Sequence, residues 1–157
     1  MSVNFKDRLA ALGAELPPAA KPGSPFFLQA ATMGNLVFMS GQIPRRGDEI
    51  LFKGRLGNTL SNEEGYKAAR LCALNLVVQL EEALDGRIER VKRFLKLTVF
   101  VNAAPSFIDA SSVANGASEL LMEVFGDAGR HARSAIGVAT LPRGVGVEVE
   151  AIVEIAP

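Results

Sequence analysis

The chain has 157 residues, 17 Lys+Arg balanced by 17 Asp+Glu, and 48% hydrophobic and 22% charged residues, with one His and one Cys. That is the make-up of one globular domain, long enough to bury a core without disulfide or metal staples. Zero net charge argues against affinity drawn from nucleic-acid phosphates, and a lone His and Cys cannot supply the usual zinc sets or an intrachain disulfide.

The chain opens on an amphipathic segment, Val3 to Leu16, with Phe5, Leu9 and Leu12 at helical spacing. Lys6, Asp7 and Arg8 interrupt what would otherwise be the apolar core of a signal peptide. No run approaches the roughly 18 apolar residues that span a bilayer. The expected location is the cytoplasm, where the thiol of Cys72 stays reduced. A breaker-rich stretch, Pro17 to Pro25, then reads as an ordered arm.

Phe26–Leu28 and Leu36–Met39 read as strands around the turn-type pair Gly34-Asn35, and Arg46-Gly47-Asp48 as a second turn before a short strand, Glu49 to Phe52. Ser61-Asn62-Glu63-Glu64 is a capping box, followed by the helical stripe Ala69, Cys72, Ala73, Leu76, Leu80, Ala83 and Leu84, with Gly86 where a C-terminal cap belongs. Val91 to Val101 reads as a strand with Leu95, Leu97, Val99 and Val101 inward. A second helix is expected over Ser106 to Phe125, then strands Arg133–Ala139 and Gly146–Ile155. The last strand alternates cleanly: Val147, Val149, Ala151 and Val153 on one face, Glu148, Glu150 and Glu154 on the other. Strand pair, helix, strand, helix, strand pair is an α+β plan with two helices on one face of a mixed sheet.

The same alternation sorts the candidate site residues. Taking Ile136 and Val138 as inward, Arg133, Ala135 and Gly137 point outward, so that Arg133 shares the open face with Lys92, Lys96, Glu148 and Glu150. Lys92, Lys96 and Glu148 fit solvated or cross-strand paired charges. Arg133 has small neighbours that leave its guanidinium room for a planar anion, though a surface role fits the pattern too. His131 reads as a surface imidazole and Cys72 as a buried, inert thiol. Gly144-Val145-Gly146 precedes a strand rather than a helix, which excludes a dinucleotide loop.

Two segments carry a resemblance. Leu36-Val37-Phe38-Met39-Ser40-Gly41-Gln42-Ile43-Pro44 resembles the SGQIP segment of the RidA/YjgF family, and Ala132-Arg133-Ser134, Leu141-Pro142 and Val147 to Ile152 resemble its C-terminal signature. The resemblance implies a chorismate-mutase-like α+β fold over residues 25–157, preceded by a helix and Pro-rich arm over 1–24, and a homotrimer with clefts between subunits. It implies hydrolysis of reactive 2-imino acids and their enamine tautomers, without cofactor or metal. Arg133 would hold the substrate carboxylate and Glu150 would orient or activate water, with Ser40, Gly41 and Asn115 in the pocket. Two departures bear on substrate choice: Phe27 stands where the family has an aromatic hydroxyl, and Ala135 where it commonly has Cys. The alternatives are a regulatory protein that binds a keto acid or other carboxylate without turnover and, third, an endoribonuclease, which the neutral charge and lone histidine disfavour.

Overall fold

The computed structural model describes residues 5–13 and 16–157. The described part of the expected first helix is α1, Phe5–Ala11; positions 3, 4, 14 and 15 lie outside the described residues. Phe5 and Leu9 are buried, and Phe5 stacks on Phe125 with ring centroids 6.4 Å apart. Arg8 donates to the carbonyl of Val124 at 3.2 Å, a cation at the negative end of a helix. The arm that follows is tied down where the buried Gln79 amide donates to the carbonyl of Ala20 at 2.8 Å.

The first strand is β1, Ala30–Met33, not Phe26–Leu28. Behind Pro25, the aromatic pair is held in a turn by the Ser24 hydroxyl, and Phe26 is 93% exposed. β2, Leu36–Gln42, follows the Gly34-Asn35 turn, and the short strands β3, Arg45–Arg46, and β4, Glu49–Ile50, make a separate ribbon.

The capping box forms as the sequence predicts: Ser61 and Glu64 satisfy each other's backbone N–H and open α2, Asn62–Ala83. At its far end Asp85 (φ 51°) and Gly86 (φ 77°) both take positive φ, and Gly86 closes the motif, as its place in the sequence predicts, by donating to the Glu81 carbonyl. β5 runs Val91–Asn102 and α3 Ala110–Phe125, starting four residues later than expected. β6, Ala132–Val138, and β7, Val147–Ile155, complete the fold.

Five strands form one sheet in the order β1-β2-β7-β5-β6, antiparallel except for the β5–β6 pair. α2 packs on β2 and β7, and α3 on β5 and β6, so both helices cover one face and leave the other open. They approach closely at Gly116, where a Cβ would collide with the carbonyl oxygen of Tyr66. Two register shifts in β5 turn Phe94 inward in place of Leu95, whereas Leu97, Val99 and Val101 are buried as expected.

The register also reverses the orientation expected of β6. Arg133 stands in one row with Leu97 and Ala151, and Ala135 with Val99 and Val149. Directly paired residues share a face, so Arg133 and Ala135 belong to the helix side. Ile136, 46% exposed, stands with Phe100 and Glu148 on the open side. The reason is position: β6 is the sheet edge, where polar groups of α3 rather than the apolar core receive the inward row.

Candidate functional site

On the helix side, the residues of α3 that meet β6 are Ser111, Asn115 and Ser118, spaced i, i+4 and i+7 and hence on one helical face. Arg133 spans them. Its Nη1 donates to Asn115 Oδ1 at 2.8 Å and Ser118 Oγ at 3.1 Å, and its Nη2 to Ser111 Oγ at 2.9 Å. All of these acceptors are neutral. The acidic residues of α3 turn the other way, Glu119 accepting from Tyr66 and Glu123 from Arg70 on α2. A half-buried guanidinium is thus oriented by three side chains and one backbone carbonyl, that of Ser111, and neutralised by none, and its Nε carries no hydrogen bond among the described residues.

His131 extends this network. Its Nδ1 lies 2.7 Å from the carbonyl of Gly129 and must donate to it, which leaves Nε2 to accept from the Ser118 hydroxyl at 3.0 Å. Burial, joined by the charge of Arg133, holds the imidazole below its ordinary pKa. The half-buried His131 is therefore part of the site, not a surface imidazole. Ser111, Ser118 and His131 were not singled out in the sequence as functional; the helical spacing of the serines about Asn115 is the signal that points to them.

On the open side, Glu150 stands in a row with Thr98 and Ser134. A cavity of about 360 Å³ is lined there by Phe38, Met39, Lys96, Thr98, Glu150, Ala151 and Ile152. Lys96 is half-buried and donates to Ser134 Oγ at 2.8 Å. Glu148 is also half-buried, with no ion pair among the described residues. Burial first, and then the charge of Glu150, raise its pKa. Of the charges expected in solvent, only Lys92 sits there, paired with Glu154 at 3.6 Å.

Ser40 and Gly41 lie in the irregular part of β2, where the register shifts between Met39 and Gln42. The Ser40 hydroxyl donates to the Leu28 carbonyl at 2.6 Å, fixing the segment that carries Phe27, whose side chain is 46% exposed. A Cβ on Gly41 would collide with the carboxylate of Glu148, so Gly41 lies beside the Glu148–Glu150 side of the sheet.

The candidate residues therefore fall into two halves. Arg133, Asn115 and Ala135 lie toward α3; Glu150 lies on the open face, with Gly41 beside its neighbour Glu148. Arg133 and Glu150 project from opposite faces and do not meet within one chain, contrary to the shared face expected. Among the described residues no three His, Cys, Asp or Glu side chains converge as metal ligands, and no helix is long and apolar enough to cross a membrane. Cys72 is fully enclosed, burial pushing its thiol pKa well up, which suits an inert thiol.

Comparison with known proteins gives this arrangement a family. Protein TCP17 of Trypanosoma cruzi is 48% identical over 160 residues, covering 99% of both chains. A 2-iminobutanoate/2-iminopropanoate deaminase of Dermatophagoides farinae is 27% identical over 139 residues, covering 88% of this chain and 92% of its own. Among solved structures, protein Atu1372 of Agrobacterium tumefaciens superposes with a TM-score of 0.91 at 39% identity, over 97% of this chain and 92% of its own. E. coli TdcF, crystallised with bound serine, superposes with a TM-score of 0.59 at 26% identity, over 90% and 94%. The family described as YjgF/chorismate mutase-like, putative endoribonuclease matches residues 6–150. With most of its length matched and the α+β fold in place, the chain belongs to the YjgF/RidA family.

Proposed function

We propose that this protein hydrolyses 2-imino acids and their enamine tautomers to 2-keto acids and ammonia, in clefts that neighbouring copies of the chain build together. The observation that carries the reading is the Arg133 guanidinium, held by neutral acceptors alone. A carboxylate arriving at its free Nε–H and displacing a serine hydroxyl exchanges a neutral hydrogen bond for a charge-assisted one, about twice as strong. The deaminase relative acts on 2-imino carboxylic acids by its name, and the serine bound to TdcF carries the same carboxylate.

With the carboxylate held, the reaction needs one water and three proton movements. Glu150 takes a proton as water adds to the carbon of the protonated C=N bond, giving a neutral carbinolamine. Glu150 returns that proton to the nitrogen, and as the C–N bond breaks the hydroxyl gives up its proton, so that ammonia leaves and the keto acid remains. The carbon is already electrophilic, so positioning and proton transfer suffice and no cofactor is called for. Because Arg133 and Glu150 occupy opposite faces, the two meet only if one copy's β6 edge is set against a neighbour's open face. Closed symmetry makes such a contact repeat around a ring, and a homotrimer is our reading of that ring. Ser40 and Gly41 shape the Glu150 side, Asn115 orients the arginine, and Phe27 and Ala135 tune which side chain is admitted.

Mixing inactive variants tests this directly. Arg133→Ala and Glu150→Gln should each abolish release of keto acid from an enzymatically generated 2-imino acid. Co-assembled in equal amounts, they should regain about a quarter of wild-type activity, the share of random contacts that place an intact Arg133 against an intact Glu150. No recovery in a mixed assembly would overturn the shared site. The separation of the two groups also favours a second reading, in which Arg133 binds a carboxylate without turnover. In that case Glu150→Gln keeps its ligand and the wild type accelerates no imine.

A further inference from the structure

Apart from the cavity beside Glu150, a second one opens next to Arg133. Ser118, Met122, Arg130, His131 and Arg133 line about 390 Å³ at the start of β6, extending the Arg133 site outward. We infer that this extension receives a second carboxylate, with Arg130 as its anchor, so that the preferred ligands are dianionic: 2-imino or 2-keto acids with an acidic side chain. The inference rests on the reading of Arg133 as the first carboxylate clamp.

The argument starts from reach and charge. Arg130 has extended backbone (φ −73°, ψ 126°) and precedes Arg133 by three residues, so their Cα atoms are at most about 10 Å apart. Two long side chains with that spacing span a four- to six-carbon diacid. No acidic side chain lines the cavity. Arg130 has one acidic partner among the described residues, Asp127 at 3.7 Å, and both side chains are largely in solvent. So exposed a pair contributes little and yields readily to an incoming carboxylate. His131 offers no free N–H in its neutral form, since one nitrogen donates to Gly129 and the other accepts from Ser118; it lines the cavity and steadies Ser118. Met122, 38% exposed, supplies the apolar wall for the intervening methylenes. A purely apolar substrate side chain would instead leave a guanidinium facing it.

Calorimetric titration of the full-length protein with 2-oxobutanoate and with 2-oxopentanedioate decides the matter. The dianion should bind the wild type about ten-fold more tightly or better, the worth of one added charge-assisted contact. Arg130→Gln should bring the two ligands within about two-fold of each other while leaving the monoanion unchanged, and Arg130→Glu should reverse the preference. Equal affinities in the wild type, or a dianion preference that survives both substitutions, would overturn the inference. Arg133→Ala separates the two readings. If that folded variant binds the monoanion as the wild type does, or if neither ligand binds the wild type, the clamp itself is wrong and this inference falls with it. If the monoanion needs Arg133 but no dianion preference exists, only the extension is wrong.

Discussion

The carboxylate of Glu148 occupies the space that a side chain at Gly41 would need. The glycine lies in the irregular segment of β2, and the glutamate reaches across to it from β7, half-buried and without a counter-ion among the described residues. A glycine of the SGQIP segment thus has a packing reason to be there, independent of any ligand.

Gly41→Ala should therefore destabilise the fold by about 1–3 kcal/mol, the usual cost of forcing atoms into filled space. Glu148→Ala in the same chain should recover a large part of it, because the colliding group is gone. A double-mutant cycle by urea denaturation measures that coupling, and strictly additive effects would show that the collision is relieved elsewhere.

Glu148 also carries a pH signature. Its carboxyl pKa is raised by burial and by Glu150, so between its ordinary value of 4.5 and the raised one the folded state holds more protons than the unfolded state. Stability from this group is complete below 4.5 and is lost as pH rises through the folded pKa. Glu148→Gln should consequently be more stable than the wild type at neutral pH, by about 2–4 °C in Tm if removing the charge is worth about 1 kcal/mol, and should show no gain near pH 4. Thermal melts of both proteins across that range read the difference; a variant less stable at pH 7 would mean that the ionised carboxylate is usefully solvated.

For Arg133 the fork matters as much as the charge. Its Nη groups satisfy Asn115, Ser111 and Ser118 together, a pattern the single ammonium of lysine cannot reproduce. Arg133→Lys should weaken binding of a 2-keto acid by about ten-fold or more, and Asn115→Ala by less, since it removes one orienting contact and leaves the cation. Titration calorimetry ranks the three proteins. A lysine variant that binds as the wild type does would reduce the clamp to a point charge.

How much of this was legible beforehand follows from which contacts are local. The capping box at Ser61 and the Val/Glu alternation of β7 are written within a few consecutive residues, and they emerge as read. The face of Arg133 is not local. Along β6 the row Arg133–Ala135–Gly137 looks like the outside and Ile136 like the inside. The outcome depends instead on a polar stripe of α3, some twenty residues earlier, and on the edge position of the strand. Similarly, the inward turn of Phe94 needs bulges that the alternation of Leu95, Leu97 and Val99 conceals, and the exposed Phe26 looks like strand until Pro25 and Ser24 place it in a turn. Family resemblance named Arg133 and Glu150, but their separation to opposite faces came from register alone.

His131 provides the last test, and its sign is opposite to that of Glu148. Burial and the neighbouring charge of Arg133 hold its pKa below 6.5, so in the window just under 6.5 the unfolded chain binds the proton that the folded chain refuses. Stability is complete above 6.5 and falls as pH drops through the window to the folded pKa. The groups that face the imidazole are the Gly129 carbonyl, the Ser118 hydroxyl and the Arg133 guanidinium; the carbonyl favours the imidazolium, but burial and the guanidinium oppose it, and protonation would take the acceptor from the Ser118 hydroxyl. Glutamine has an acceptor and a donor of its own and never titrates. His131→Gln should thus flatten the decline in stability as pH falls below 6.5 while costing little at pH 7.5. Chemical denaturation of both proteins at a series of pH values gives the difference curve, in which contributions from Glu148 cancel. A curve that is level across the window would place His131 in solvent and detach it from the hydrogen bonds that orient Arg133.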